Sequence, residues 1–215
     1  MAELARTLAV PLRLDEVLAG VSRTVLEVLP GAQAAGFLLF TKAEKFETHA
    51  PTTEVMFTID ALQIEYGEGP CMEAALDELI VRTDDFEQEQ RWPRFSAAVL
   101  KMGLRSALSF KLYTSHRNAG ALNIFSYEPH AFGPEDEAQG QVLAAHAAAA
   151  ILASRQGEQL QSALNSRDLI GQAKGIIMER FNVDAVRAFE MLRELSQTSN
   201  VKLVEIAQQV IDKRG

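Results

Sequence analysis

Cys71, the one cysteine in 215 residues, directly follows Gly69 and Pro70, a pair that suits the cap and first position of a helix. A thiol in a first helical turn feels partial positive charge, which favours the reactive thiolate. Glu68 and Glu73 oppose that effect, and a lone cysteine has no resolving partner. Two readings stay open: a small buried side chain, the simpler one, and a redox-sensing thiol. Asp84, Asp85, Glu87 and Glu89 bring enough carboxylates into one loop for a hard cation, and read more simply as a solvated acidic loop. Arg91, Trp92 and Arg94 could line a ligand mouth, although Trp92-Pro93 is also a good helix start with the indole turned inward. The histidines at 49, 116, 130 and 146 show no metal-ligand spacing with the cysteine. With no Ser-His-Asp set, carboxylate pair or phosphate loop, the chain reads as a non-enzyme with no catalytic residue and no metal site.

The other chemically suggestive element is Gly171, Lys174 and Gly175. A glycine inside a helix costs about 1 kcal/mol relative to alanine, so something must gain from the missing side chains. Either another helix packs closely there, or another molecule such as a nucleic-acid backbone approaches Lys174. The surrounding sequence predicts three short amphipathic helices. Leu169, Ile170, Ala173, Ile177 and Phe181 form one stripe, then Ala185, Ala188, Phe189, Leu192 and Leu195, then Leu203, Ile206, Ala207, Val210 and Ile211. Asp184 is the expected N-cap of the second helix after a break at Asn182, and Ser199 and Asn200 are start signals for the third. Each is too small for a private core, so together they should form a three-helix bundle.

Upstream, residues 14–29 read as an amphipathic helix ended by Pro30-Gly31, and residues 34–40, 105–113 and 120–127 read as strands, the last two joined by a polar loop over 114–118. Helical stretches near 54–65, 70–78 and 92–101 lie between them. Helices interspersed with an antiparallel sheet give an α+β domain. From Pro134 the chain runs to Phe181 without another proline, which predicts one long connecting helix. Val142, His146, Ala149, Ala153, Gln156, Leu160 and Ala163 follow the alternating steps of a weak coiled-coil seam, with Gly157 the expected point of a bend.

Composition bounds the function. Hydrophobic residues make up 47% of the chain, with no apolar run long enough to cross a bilayer and no signal-peptide pattern at the N-terminus, so a cytoplasmic protein without membrane contact is expected. The formal charge of −8 is uneven: residues from 155 onward carry nine Lys/Arg against eight Asp/Glu, and the preceding 154 carry twelve against twenty-one. The tail is close to neutral and has no basic stripe, so charge alone does not mark a nucleic-acid binder.

Three blocks in order, Ala173-Lys174-Gly175-Ile176-Ile177-Met178, Ala188-Phe189-Glu190-Met191-Leu192-Arg193 and Lys202-Leu203-Val204-Glu205-Ile206-Ala207, resemble the ANTAR domain, over about a quarter of the chain. That resemblance implies an RNA-binding output module that grips paired stem-loops in nascent leader RNA and prevents a terminator hairpin from forming. Lys174 with Gly175, then Arg193 and Lys202, with Arg180 and Arg187 as helpers, are the expected RNA contacts. Earlier, Tyr66-Gly67-Glu68-Gly69-Pro70-Cys71, Arg91-Trp92-Pro93-Arg94-Phe95, Gly103-Leu104-Arg105-Ser106-Ala107-Leu108 and Gly120-Ala121-Leu122-Asn123-Ile124-Phe125-Ser126 resemble a GAF sensor domain. Cys71, Trp92, Arg105 and Asn123 are its candidate ligand contacts, for an unknown small-molecule or protein signal; the resemblance names no cofactor. The organisation expected is a GAF-like domain over 1–150, a connecting helix over 134–165 and an ANTAR domain over 160–215, in a homodimer acting as a signal-responsive antiterminator. Two alternatives accompany it: a regulator whose helical tail docks on a signalling or transcription protein, and a redox sensor or enzyme built on Cys71.

Overall fold

The computed structural model describes residues 14–40, 45–76, 79–114 and 117–213. They form two compact units, divided between Ser154 and Arg155. In chain order the elements are α1 (Leu14–Val28), β1 (Ala34–Phe40), β2 (Phe46–His49), α2 (Val55–Tyr66), α3 (Pro70–Leu76), β3 (Ile80–Thr83), α4 (Pro93–Lys101), β4 (Ser106–Thr114), β5 (Arg117–Ser126), α5 (Pro134–Phe181), α6 (Ala185–Ser199) and α7 (Leu203–Asp212).

The first unit is built on a five-stranded antiparallel sheet in the order β2-β1-β5-β4-β3. Both faces of the central strands are covered, which is why β1 reads as an unbroken apolar run instead of an alternating one. Alternation is nevertheless present: Ala35, Phe37 and Leu39 join the core beneath α1 and the start of α5, while Ala34 and Leu38 join the core beneath α2, α3 and α4. On β4 and β5 the same period sends Leu108, Phe110, Leu122 and Ile124 to the first core, and Ala107, Ala121 and Phe125 to the second. Ser109 and Asn123 fall on that second face, are cross-strand partners and are fully buried.

Two edge strands, β2 and β3, were not anticipated; at four residues each they are too short to show a period in sequence. The β4–β5 connection is tighter than the expected 114–118 loop, since the strands reach Thr114 and resume at Arg117. Residues 77–78, at the end of the predicted 70–78 helix, and His116 lie outside the described residues.

The second unit packs the end of α5 with α6 and α7 around Ala173, Ile177, Ala188, Leu192, Ile206 and Ala207. Asp184 caps α6 as expected, its carboxylate accepting from the backbone N–H of Val186 and Arg187 at 3.0 and 2.8 Å. Asn182, at φ 50°, breaks the chain before it. Three expectations are corrected. Ser199 and Asn200 are a stop, not a start: Ser199 closes α6 and Asn200 is its left-handed C-cap at φ 53°, while α7 begins after Lys202 without a side-chain cap. Gly157 does not interrupt α5, which is helical from Pro134 to Phe181. Phe181, Phe189 and Leu195 complete sequence stripes but remain 56%, 40% and 52% exposed, because three short helices cannot cover both flanks of each stripe.

Candidate functional site

The first unit holds a chain of buried polar groups between α2 and the sheet. Asp60, on α2, is 1% exposed and accepts hydrogen bonds from Thr48 Oγ1 at 2.8 Å, Asn123 Nδ2 at 3.3 Å and Gln63 Nε2 at 3.4 Å. Asn123 Oδ1 in turn accepts from Ser109 Oγ at 2.8 Å, and Gln63 Oε1 accepts the backbone N–H of Cys71 at 2.8 Å. Gly69, at φ 125°, makes the last contact possible: a Cβ there would lie 2.7 Å from Gln63 Oε1. No cation is among the hydrogen-bond partners of Asp60. Burial pushes its carboxyl up to about 6, against the opposing effect of the bonds from Thr48, Asn123 and Gln63.

The same surroundings reverse the helix-start expectation for Cys71. Its side chain is fully buried, and burial followed by the nearby Asp60 charge pushes the thiol up to about 12, with a hydrogen bond from Asn123 opposing. At neutral pH such a sulfur is protonated and shielded from solvent, so it behaves as a small core side chain.

Of the four expected ligand contacts, the structure brings Cys71 and Asn123 together through Asp60 and Gln63, and places Trp92, 5% exposed, in the same core. It separates Arg105, which binds Asp85 in a fork at 3.1 and 2.9 Å and Glu87 at 3.1 Å. The guanidinium bonded to Asp85 holds its carboxyl below the usual range. The acidic loop is therefore neither a cation site nor freely solvated: Arg105 takes Asp85 and Glu87, Arg82 takes Asp84 at 2.9 Å, and Arg91 takes Glu89 at 2.6 Å. Among the described residues no cluster could hold a metal ion. Trp92 is the inward-packed helix start, with Arg91 over its ring at 4.3 Å, while Arg94 stacks on Tyr66 at 4.5 Å. Glu68 caps α4 by accepting from the N–H groups of Arg94 and Phe95 at 2.9 and 3.1 Å.

In the second unit, Gly171 and Gly175 face open space; a Cβ on either meets nothing within 4 Å, so close packing inside the chain does not explain them. Among the described residues Arg167, Lys174, Arg180, Arg193 and Lys202 have no ion pair. Arg187, one of the expected helpers, is committed to Glu190 and Glu194 at 3.2 Å each. An open notch of about 580 Å³ lies between α5 and α6, lined by Ala163, Ser166, Arg167, Ile170, Gly171, Lys174 and Phe189.

A GAF domain family model matches residues 3–152, and an ANTAR domain family model matches residues 158–211. The chain belongs to the GAF–ANTAR regulators. Its GAF unit is similar in fold to a domain of a candidate two-component sensor histidine kinase protein from Sinorhizobium meliloti 1021, at TM-score 0.57 and 16% identity over 69% of this chain and 97% of that one. It is likewise similar to the GAF domain of a phosphoenolpyruvate-protein phosphotransferase from Coxiella burnetii, at TM-score 0.54 and 20% identity over 74% and 94%. A third similarity is to fRMsr of Staphylococcus aureus in its reduced form, at TM-score 0.51 and 12% identity over 64% and 83%. At these identities the likeness is one of fold. No curated protein matches the sequence. Among the described residues of this GAF–ANTAR regulator no helix is long and apolar enough to cross a membrane.

Thr48, Asp60 and Gln63 were missed by the sequence reading of the GAF unit. Met56, Ile59, Asp60 and Gln63 are the buried positions of α2, at i, i+3, i+4 and i+7, so a carboxylate on the inward face of an apolar helix was the available signal. Phe189 of the ANTAR unit was read as core, and its exposure depends on what α6 packs against.

Proposed function

We propose that this GAF–ANTAR regulator is a signal-responsive transcription antiterminator that binds paired stem-loops in nascent leader RNA. The observation that carries the reading is the ANTAR unit's set of cations without ion pairs, Lys174 foremost, beside two helical glycines that nothing in the chain covers. A neutral tail can bind a polyanion if its cations are free while its acids are tied up internally, as Glu190 and Glu194 are by Arg187. Lys174, Gly175, Arg180, Arg193 and Lys202 are the proposed contacts, and Arg187 serves instead to hold α6.

The GAF unit receives the signal, a small molecule or a protein, with Asp60, Asn123 and the Cys71 backbone as the polar groups closest to where it would be read. Dimerisation along α5 fits a stripe in which Val142, His146, Ala149, Ala153, Gln156, Leu160 and Ala163 are all exposed, with Val142 at 69% and Leu160 at 64%. A signal that binds two arrangements of the pair with different affinity would change how two ANTAR units are presented to RNA.

The test is binding of the full chain to tandem stem-loop RNA across a salt series, followed by run-off transcription through a terminator preceded by that RNA. Affinity that falls with salt and is weakened in Lys174→Ala, together with increased read-through, supports the reading. Salt-independent binding, or unchanged termination, refutes it.

A further inference from the structure

The notch on the ANTAR unit combines features that no single-chain role accounts for. One wall is the α5 stripe Ala163, Ser166, Arg167, Ile170, Gly171 and Lys174, and the other is Phe189 of α6. Its floor is open because Gly171 has no side chain and nothing lies within 4 Å of where one would be. Phe189 leaves a ring 40% exposed beside that floor. Two cations, Arg167 and Lys174, stand one above the other along the helix, neither held by an acid.

A second copy of the chain is the competing occupant, and charge argues against it. The alternating steps of the α5 seam, continued past Ala163, arrive at Arg167, Ile170 and Lys174. A parallel partner laid along that stripe would set arginine against arginine and lysine against lysine, in positions that coiled coils fill with apolar residues. A polyanion meets no such penalty. A flat aromatic face, a wall without a side chain and two adjacent cations together match a nucleotide with its base out of the stack: every base has a π-face, and phosphate is the group that guanidinium and ammonium recognise.

We propose that the notch receives one unpaired loop nucleotide, its base stacked on Phe189 above Gly171 and its phosphate held by Arg167 and Lys174. This rests on the RNA-binding reading above and adds that loop bases are gripped individually. The ANTAR unit would then read the loop as well as the stem, and preference among transcripts would arise in part from which loop can present a base to the notch.

The experiment uses the full chain and a pool of RNAs carrying two tandem stem-loops with randomised loops. A selected binder is resynthesised with an abasic residue at each loop position in turn, and with 2-aminopurine at the position that matters. One abasic position should weaken binding by roughly 5- to 150-fold, the range for one stacked base. Phe189→Ala should weaken it comparably, and Phe189→Trp should restore it. Combining Phe189→Ala with that abasic RNA should cost little more than either alone, because both remove the same contact. Gly171→Leu should improve helix propensity yet lower affinity by filling the notch. The 2-aminopurine fluorescence should be quenched by the native protein and not by Phe189→Ala.

If the chain binds selected RNA but no abasic position, nor Phe189→Ala, nor Gly171→Leu changes affinity, the notch proposal falls and RNA binding stands. If it retains no RNA from the pool even at low salt, both fall. If Phe189→Ala or Gly171→Leu instead dissociates a dimer in sedimentation, in step with any loss of RNA, the notch is a contact between copies and the proposal is overturned.

Discussion

Replacing Asp60 with asparagine should stabilise the GAF unit at neutral pH. The carboxylate is nine-tenths enclosed by α2, β2 and β5, and its partners Thr48, Gln63 and Asn123 are all neutral. Its pKa stands at about 6 against 3.8 for a solvated aspartate. At about 1.4 kcal/mol per unit, holding it ionised in the fold costs about 3 kcal/mol. The native state therefore binds the proton more tightly than the unfolded state, so the favourable contribution is complete below pH 3.8 and is lost as pH rises through about 6. Asp60→Asn keeps the shape and has no charge to desolvate, and the Thr48 hydroxyl can rotate to accept from the new amide. Trp92, the chain's single tryptophan, is buried in the core that Asp60 borders and reports unfolding of this unit by fluorescence. Urea titrations at about pH 4 and about pH 8 should show the variant close to wild type in acid and more stable by up to about 3 kcal/mol in mild alkali. A gap that does not change with pH, or a variant that is the less stable at the higher pH, would show that the ionised carboxylate is welcome in its site and the reasoning wrong.

Other outcomes can be checked directly. Lys174→Ala should reduce the slope of log affinity against log salt for single-stranded loop RNA by about 0.7, the release of one phosphate's counterion; an unchanged slope would remove Lys174 from the interface. Cys71, fully buried and with its thiol raised to about 12, should resist alkylation in the native protein at about pH 8 and react on unfolding, and Cys71→Ser should bind RNA equally before and after mild peroxide. Asp184→Ala should destabilise the ANTAR unit by about 1 kcal/mol in thermal melts followed by circular dichroism, through loss of its bonds to the Val186 and Arg187 N–H groups. Gly157→Ala meets no neighbour and should slow amide exchange around residue 157 by strengthening the helix about 1 kcal/mol; faster exchange would count against a continuous α5.

Local physics made the two-part plan of the chain legible before any coordinates. Helical periods in α1, α6 and α7, the apolar runs of β1, β4 and β5, the Asp184 cap and the proline-free span of α5 are all set by interactions between residues near in sequence. The blocks resembling the GAF and ANTAR families were equally readable, and the family models match the same regions. Tertiary structure decided what neighbours each residue finally met. It turned Asn200 from a presumed start into a left-handed stop, and it added the edge strands β2 and β3, which exist because β1 and β4 offer them hydrogen-bond partners. Arg105, Asp85, Glu87, Arg91 and Glu89 became ion pairs because β3, β4 and the loops beside them meet in space. Asp60 gained its raised pKa only when α2 lay across Asn123, some sixty residues away in sequence. In the tail, Phe189 belonged to a hydrophobic stripe and still stayed exposed beside Gly171. Periodicity fixes which face a residue occupies on its own helix, but burial is a property of the element opposite, and no local pattern specifies that.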